Sequence, residues 1–362
     1  MKKRLATIYA AFCTLLLVAG FVLVFYLSWL ASTTAVVLAL IGLAGSLIFA
    51  PIVHELGHVC VGTWMKMQCV YVKCFCWKFY RNGGKMRVAF ASPFAVDQTQ
   101  MLPKQGGDMQ KRASLYTLGG LLFSGIFLIV LLLAGILLAD LGETSYCLFA
   151  ALPYTAYLFL LNVAPFSYAN GKTDGGVYRG IRKGEDTEKC MLSAMEIQGQ
   201  LFSGKSFAEI DEEYYFNLPQ LCEDEPLYAI LLDLRYRYYL EKGEMEKAAD
   251  CLNRLALNEP YLPFSEVEKV AAELVYMHAL TGNIADAEKN ASACQDFLLM
   301  ENVGAKRALC AYALAVGKVN EAEDLLAQAY ETLEKESIPG VKRFEEILLD
   351  RFANKKDEDR KN

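Results

Sequence analysis

The sequence predicts an α-helical membrane protein: four transmembrane spans with a small β-hairpin in the first half, then a cytosolic α-helical repeat domain of tetratricopeptide-like spacing. Three observations predict it. Four apolar runs, 5–30, 34–64, 116–141 and 146–165, are each long enough to cross about 30 Å of hydrocarbon at about 1.5 Å per residue. From about Glu185 the composition turns to Glu, Lys, Ala, Leu and Tyr, as in soluble helical protein. Within that half a turn glycine followed five residues later by alanine recurs at 35 to 39 residues, at Gly243/Ala248, Gly282/Ala287 and Gly317/Ala322. This is the period of paired-helix solenoids.

Met1-Lys2-Lys3-Arg4 ahead of an apolar run has the layout of a signal peptide. The run is too long for an h-region and lacks a small-residue cleavage site, so it reads as a retained span. A short turn at Ser32-Thr33 joins it to the second span as a helical hairpin. Basic flanks stay on the cytosolic side. The leading Lys-Lys-Arg therefore puts the amino terminus inside, and counting spans puts residues 66–112, with nine Lys and Arg, inside as well. The connection after span three holds Asp140 and Glu143 without Lys or Arg and falls outside. Both termini are then cytosolic, in a multi-pass protein of the cell membrane.

Residues 70–91 change period. They are rich in aromatic and β-branched residues and are divided by Arg81-Asn82-Gly83-Gly84, a β-hairpin signal. Such a hairpin either offers an edge to an extended peptide or packs against the membrane face. The domains are then 1–184 in the membrane, 185–354 as helical repeats, and a charged tail, 355–362, expected to be disordered. The net charge of −6, with Lys and Arg scattered and no basic stripe, excludes nucleic acid as a partner. Eleven Cys are spread over both halves. Cys69, Cys74 and Cys76 lack the two-residue gap of zinc pairs, so the set reads as reduced structural thiols.

Chemistry concentrates in His54-Glu55-Leu56-Gly57-His58, in the last third of the second span. Positions i and i+4 share a helix face, so two imidazoles can meet one metal with Glu55 beside them as a base. The bland alternative is a chance match, but two imidazoles and a carboxylate in an apolar helix are costly unless they bind something. The remaining histidine, His278, lies in a soluble helical pattern. Pro51 either kinks the helix to open a water-accessible notch or is one of the prolines that membrane helices tolerate.

A catalytic zinc site takes three protein ligands and a water. No His follows at the metzincin spacing, and no Glu occurs between Val59 and Gly142. Asp140 and Glu143 lie on the opposite side. Asp97, Asp108 and Asp174 remain, and Asp174 leads because Gly171, Gly175 and Gly176 let the backbone bend tightly around it.

The His54-Glu55-Leu56-Gly57-His58 motif late in a membrane helix, with Asn162, Pro165 and Asp174-Gly175-Gly176 after a later one, resembles the motif pair of the site-2 proteases, a family of intramembrane zinc peptidases. Leu118-Gly119-Gly120 is similar to the Gly-rich start of their intervening helix. Leu121 and Ser124 stand where Pro and Asn are common, and the stretch from Pro165 to Asp174 is longer than usual. The likeness covers roughly residues 35–180. It implies a four-span metalloprotease core with Zn2+ held by His54, His58 and Asp174, and Glu55 as general base of peptide hydrolysis. Asn162 is then either a hydrogen-bond donor to the substrate or oxyanion, or a helix-end cap. The implied substrate is a membrane-spanning segment or membrane-associated peptide, with a protein partner for the cytosolic repeats. Two other classes compete. A non-catalytic receptor or adaptor with a vestigial metal site is disfavoured by the intact Glu55. A metal transporter needs ionisable residues on successive helices, and spans one, three and four have almost none before Asp140.

Overall fold

The computed structural model describes residues 2–82, 85–93, 95, 97–168, 171–262 and 264–359. It is mostly helical and divides into two compact units, one of residues 1–102 with 108–188, the other of 103–107 with 189–362.

In the first unit four helices carry the apolar runs: α1 (Lys2–Ala31), α2 (Thr33–Trp64), α3 (Met109–Leu137) and α4 (Ser145–Val163). Each is long and apolar enough to cross a membrane. Their ends differ from the apolar runs for local reasons. Asp108 caps α3 by accepting the Lys111 N–H at 2.9 Å, so the helix starts at Met109 rather than at 116. Extended backbone at Ala164, the residue before Pro165, stops α4 at Val163. Ser32 caps α2 through the Ala35 N–H at 3.0 Å, which keeps the first hairpin tight. The buried face of α2 carries Ala35, Ala39, Gly42, Ser46 and Ala50 at three- and four-residue steps, then His54 and His58. Small residues let neighbouring helices come close. A Cβ on Gly42 would lie 1.9 Å from the Cys147 carbonyl oxygen of α4. Large apolar side chains such as Leu15, Trp29, Phe49, Ile129 and Leu137 point outward.

The expected hairpin is part of a larger sheet. Strands β1 (Met67–Cys74), β2 (Trp77–Asn82), β3 (Lys85–Phe90) and β4 (Gln98–Pro103) lie in the order β3-β2-β1-β4. Residues 70–80 are therefore two strands and not one: Phe75, in the left-handed region at φ 51°, turns the chain between β1 and β2. That conformation is costly for a bulky residue. Asp97 supports it, accepting the Phe75 N–H at 2.9 Å and the buried Lys73 ammonium at 2.7 Å. Lys73 also donates to the Ala95 carbonyl. The turn expected at Gly83-Gly84 lies outside the described residues. Across β2 and β3 the register pairs Trp77 with Phe90 and Phe79 with Val88 on one face, and Lys78 with Ala89 and Tyr80 with Arg87 on the other. The apolar face is exposed; Phe90 is 73% accessible.

After α4 a short ladder, β5 (Ser167–Tyr168) with β6 (Gly171–Lys172), leads into α5 (Asp174–Lys183); Ala169 and Asn170 lie outside the described residues. Thr173 caps α5 through the Gly176 N–H at 3.1 Å, and left-handed Gly184 ends it. Helix α6 (Asp186–Phe202) follows, and the boundary between the units falls inside it, close to the expected 184/185.

The second unit continues with α7 (Glu213–Phe216), α8 (Pro226–Lys242), α9 (Met245–Leu257), α10 (Phe264–Leu280), α11 (Ile284–Ala293), α12 (Gln295–Leu298), α13 (Val303–Ala315), α14 (Val319–Leu333) and α15 (Pro339–Asp359). Gly243, Gly282 and Gly317 sit in the turns of the pairs α8–α9, α10–α11 and α13–α14 at φ 78°, 76° and 79°, which only glycine adopts cheaply. Ala248, Ala287 and Ala322 are buried where the paired helices meet. Arg307 of α13 is fully buried, paired with Glu273 of α10 at 2.7 Å and Glu345 of α15 at 2.8 Å. Removing one partner of such a buried pair costs about 3–5 kcal/mol, so the cluster fixes which helices stack. Helix α15 runs to Asp359, into the charged tail expected to be disordered from 355, and residues 360–362 lie outside the described part.

Candidate metal centre

Three elements build the centre. Helix α2 supplies His54 and His58, both buried, with ring centroids 5.0 Å apart. Helix α5 supplies Asp174 at its first residue, where the helix dipole favours negative charge. Oδ2 of Asp174 lies 3.1 Å from His54 Nε2 and 3.3 Å from His58 Nε2. These three ligand atoms form the one His/Cys/Asp/Glu group among the described residues with the spacing to hold a metal ion.

Helix α3 orients the imidazoles. His58 Nδ1 lies 2.9 Å from the Tyr116 carbonyl, which can only accept, so Nδ1 carries the proton and the Nε2 of a neutral ring carries a lone pair. His54 Nδ1 lies 3.0 Å from the Ser124 hydroxyl. Asp174 Oδ2 is buried without a hydrogen-bond donor. A lone pair and an anionic oxygen thus face each other where a cation would satisfy both. Two imidazole nitrogens and one carboxylate oxygen are a donor set that could hold a divalent metal ion and leave coordination positions open. Burial opposes the charge on Asp174, but the imidazoles of His54 and His58 beside it favour the carboxylate and hold the carboxyl down at about 2.

There is no room to spare above the imidazoles. A Cβ on Gly120 of α3 would lie 2.4 Å from His58 Nε2 and 2.8 Å from His54 Cε1. Gly57 and Gly119 make the crossing possible, since a Cβ on Gly57 would meet the Gly119 carbonyl oxygen at 2.4 Å. Glu55 is buried next to the imidazoles, and its Oε2 accepts the Thr99 hydroxyl at 2.6 Å.

The other candidates lie elsewhere. Asp97 is engaged by Lys73 and Phe75, and Asp108 caps α3. The Asn162 amide donates to the Leu158 carbonyl of its own helix at 3.1 Å, while its backbone oxygen lies against Gly175. All eleven cysteines are free. Burial, with Glu55 and Asp97 nearby, pushes the Cys74 thiol up to about 12, which keeps it protonated and unsuited to a metal. Outer strand β4 does not present all its polar groups, because the Thr99 carbonyl accepts the Tyr116 hydroxyl at 2.7 Å. Thr99 and Tyr116 had no signal in the sequence; Ser124 showed only as a departure from the motif the sequence resembles. No family model, curated protein or solved structure matches the chain.

Proposed function

We propose that the chain is a membrane-embedded zinc metalloprotease of site-2 protease type, hydrolysing peptide bonds of membrane-spanning or membrane-associated substrates. The convergence of His54, His58 and Asp174 on one point beside Glu55 carries this reading. Held by His54, His58 and Asp174, a zinc ion would supply Lewis acidity at that point, lowering the pKa of water and polarising the scissile carbonyl. Glu55 takes the proton of the attacking water and returns it to the leaving amine. Asp174 contributes the negative charge that two neutral imidazoles lack. Asn162 reaches an oxyanion only by releasing the Leu158 carbonyl.

The test is cleavage of candidate membrane substrates by reconstituted wild type and Glu55→Gln, side by side. Glu55→Gln should be slower by about 10²–10⁴-fold, the usual contribution of a general base, with bound zinc unchanged. Cleavage at the wild-type rate would remove the enzyme reading.

The four apolar helices cross the bilayer with both termini in the cytosol, and the exposed Trp77, Phe79, Val88 and Phe90 face lies against lipid. The helical unit, with its tetratricopeptide-like period, recruits or regulates from the cytosolic side. A reporter active only outside the cytosol, fused after Asn362, should stay silent. A strong signal would overturn the topology and with it the cytosolic placement of the centre.

A further inference from the structure

A buried carboxylate acting as a base must be aimed, and the group that aims Glu55 is not a metal ligand. The Thr99 hydroxyl donates to Glu55 Oε2 at 2.6 Å, and the Thr99 carbonyl accepts the Tyr116 hydroxyl at 2.7 Å. The Tyr116 carbonyl in turn accepts from His58 Nδ1 at 2.9 Å. One chain of bonds therefore runs from Glu55 through β4 and α3 to His58, bypassing His54 and Asp174. Strand β4 then continues into residues 103–107, whose contacts belong to the helical unit. There the Gly107 N–H donates to the buried Glu196 carboxylate at 2.9 Å, and Gln200 Nε2 holds the same carboxylate at 2.9 Å. The fit leaves no slack: a Cβ on Gly199 would lie 2.6 Å from the Gln105 carbonyl oxygen. Thr99 and Pro103 are separated by about 13 Å of extended strand at about 3.3 Å per residue, a stiff link.

We propose that Thr99 is a positioning residue for Glu55, and that the grip of the helical unit on residues 103–107 sets, through β4, where Thr99 holds the carboxylate. The proposal rests on Glu55 being the base. A partner that moves α6 then changes the turnover step and leaves substrate affinity alone, which gives the helical unit a regulatory role over proteolysis.

The experiment uses the full-length protein in lipid. Thr99→Val keeps the side-chain shape and removes the hydroxyl; kcat should fall by about 10- to 100-fold, the range for residues that orient an active group, with KM and zinc content unchanged. Thr99→Ser, which keeps the hydroxyl, should recover most of the loss. Gly199→Ala, which pushes on Gln105, should lower kcat and speed amide exchange in residues 98–102. On the Thr99→Val background it should cost nothing further, because both changes act on one link. If Gly199→Ala does not assemble, Glu196→Gln takes its place. Wild-type kcat in Thr99→Val, no rescue by Ser, or losses that multiply in the double variant would each overturn the proposal while a silent Glu55→Gln left the enzyme reading standing. An active Glu55→Gln would sink both.

Discussion

Asp174→Ala should lose bound zinc and proteolysis together. Two neutral imidazoles hold a divalent cation weakly, and Asp174 is the sole carboxylate within reach of both Nε2 atoms among the described residues. Its folded-state value near 2 lies below the ordinary carboxylate range, so the charge is present above that range and is lost only as pH falls toward 2. Neutral assays thus see the full effect. The loss of activity should exceed the about 10- to 100-fold typical of groups that only orient a ligand. Asp97→Asn is the control. It keeps an acceptor for the Phe75 N–H and lies outside the ligand group, so it should retain most zinc and activity. Metal analysis of the purified variants decides the matter: zinc retained in Asp174→Ala and lost in Asp97→Asn would show the ligand set to be wrong.

Gly120→Ala should do comparable damage without replacing any ligand. Alanine is the better helix former by about 1 kcal/mol, so α3 itself gains. The added methyl, however, would sit 2.4 Å from His58 Nε2 and 2.9 Å from His54 Nε2, the atoms that would hold a metal. Either the imidazoles turn away or α3 retreats from α2, and the Tyr116 and Ser124 contacts go with it. Gly125→Ala, on the same helix but 3.3 Å from the edge of the Phe159 ring, needs only a small shift and should keep its metal. Full zinc and full turnover in Gly120→Ala would mean that the helices are less tightly crossed than described.

Much of this was legible because it is local. The His54-Glu55-x-x-His58 spacing is a helix-face property, the four long apolar helices follow from apolar length, and the turn glycines follow from a backbone conformation that other residues avoid. Asp174 needed a motif, since nothing local says that residue 174 returns to residue 54. The missed features are those that tertiary contact decides. Gln98–Pro103 has weak strand character and becomes a strand by pairing with β1. Phe75 turns left-handed without the Gly or Asn that would announce it, because Asp97 receives its N–H from 22 residues away. The group that fixes the His58 tautomer is a main-chain carbonyl, and no side-chain pattern records it.

The hairpin of β2 and β3 carries a constraint on insertions and deletions that its individual residues do not. Its two faces alternate with a period of two, Trp77, Phe79, Val88 and Phe90 against Lys78, Tyr80, Arg87 and Ala89. A side chain can be exchanged with local consequences, but removing one residue from the middle of β3 moves every later position to the opposite face. Phe90 would then turn to the side of Lys78 and Ala89 to the side of Trp77, dissolving the Trp77–Phe90 ring contact at 4.3 Å. Changes of length are thus forbidden here in odd steps, whatever the chemistry of the residue lost.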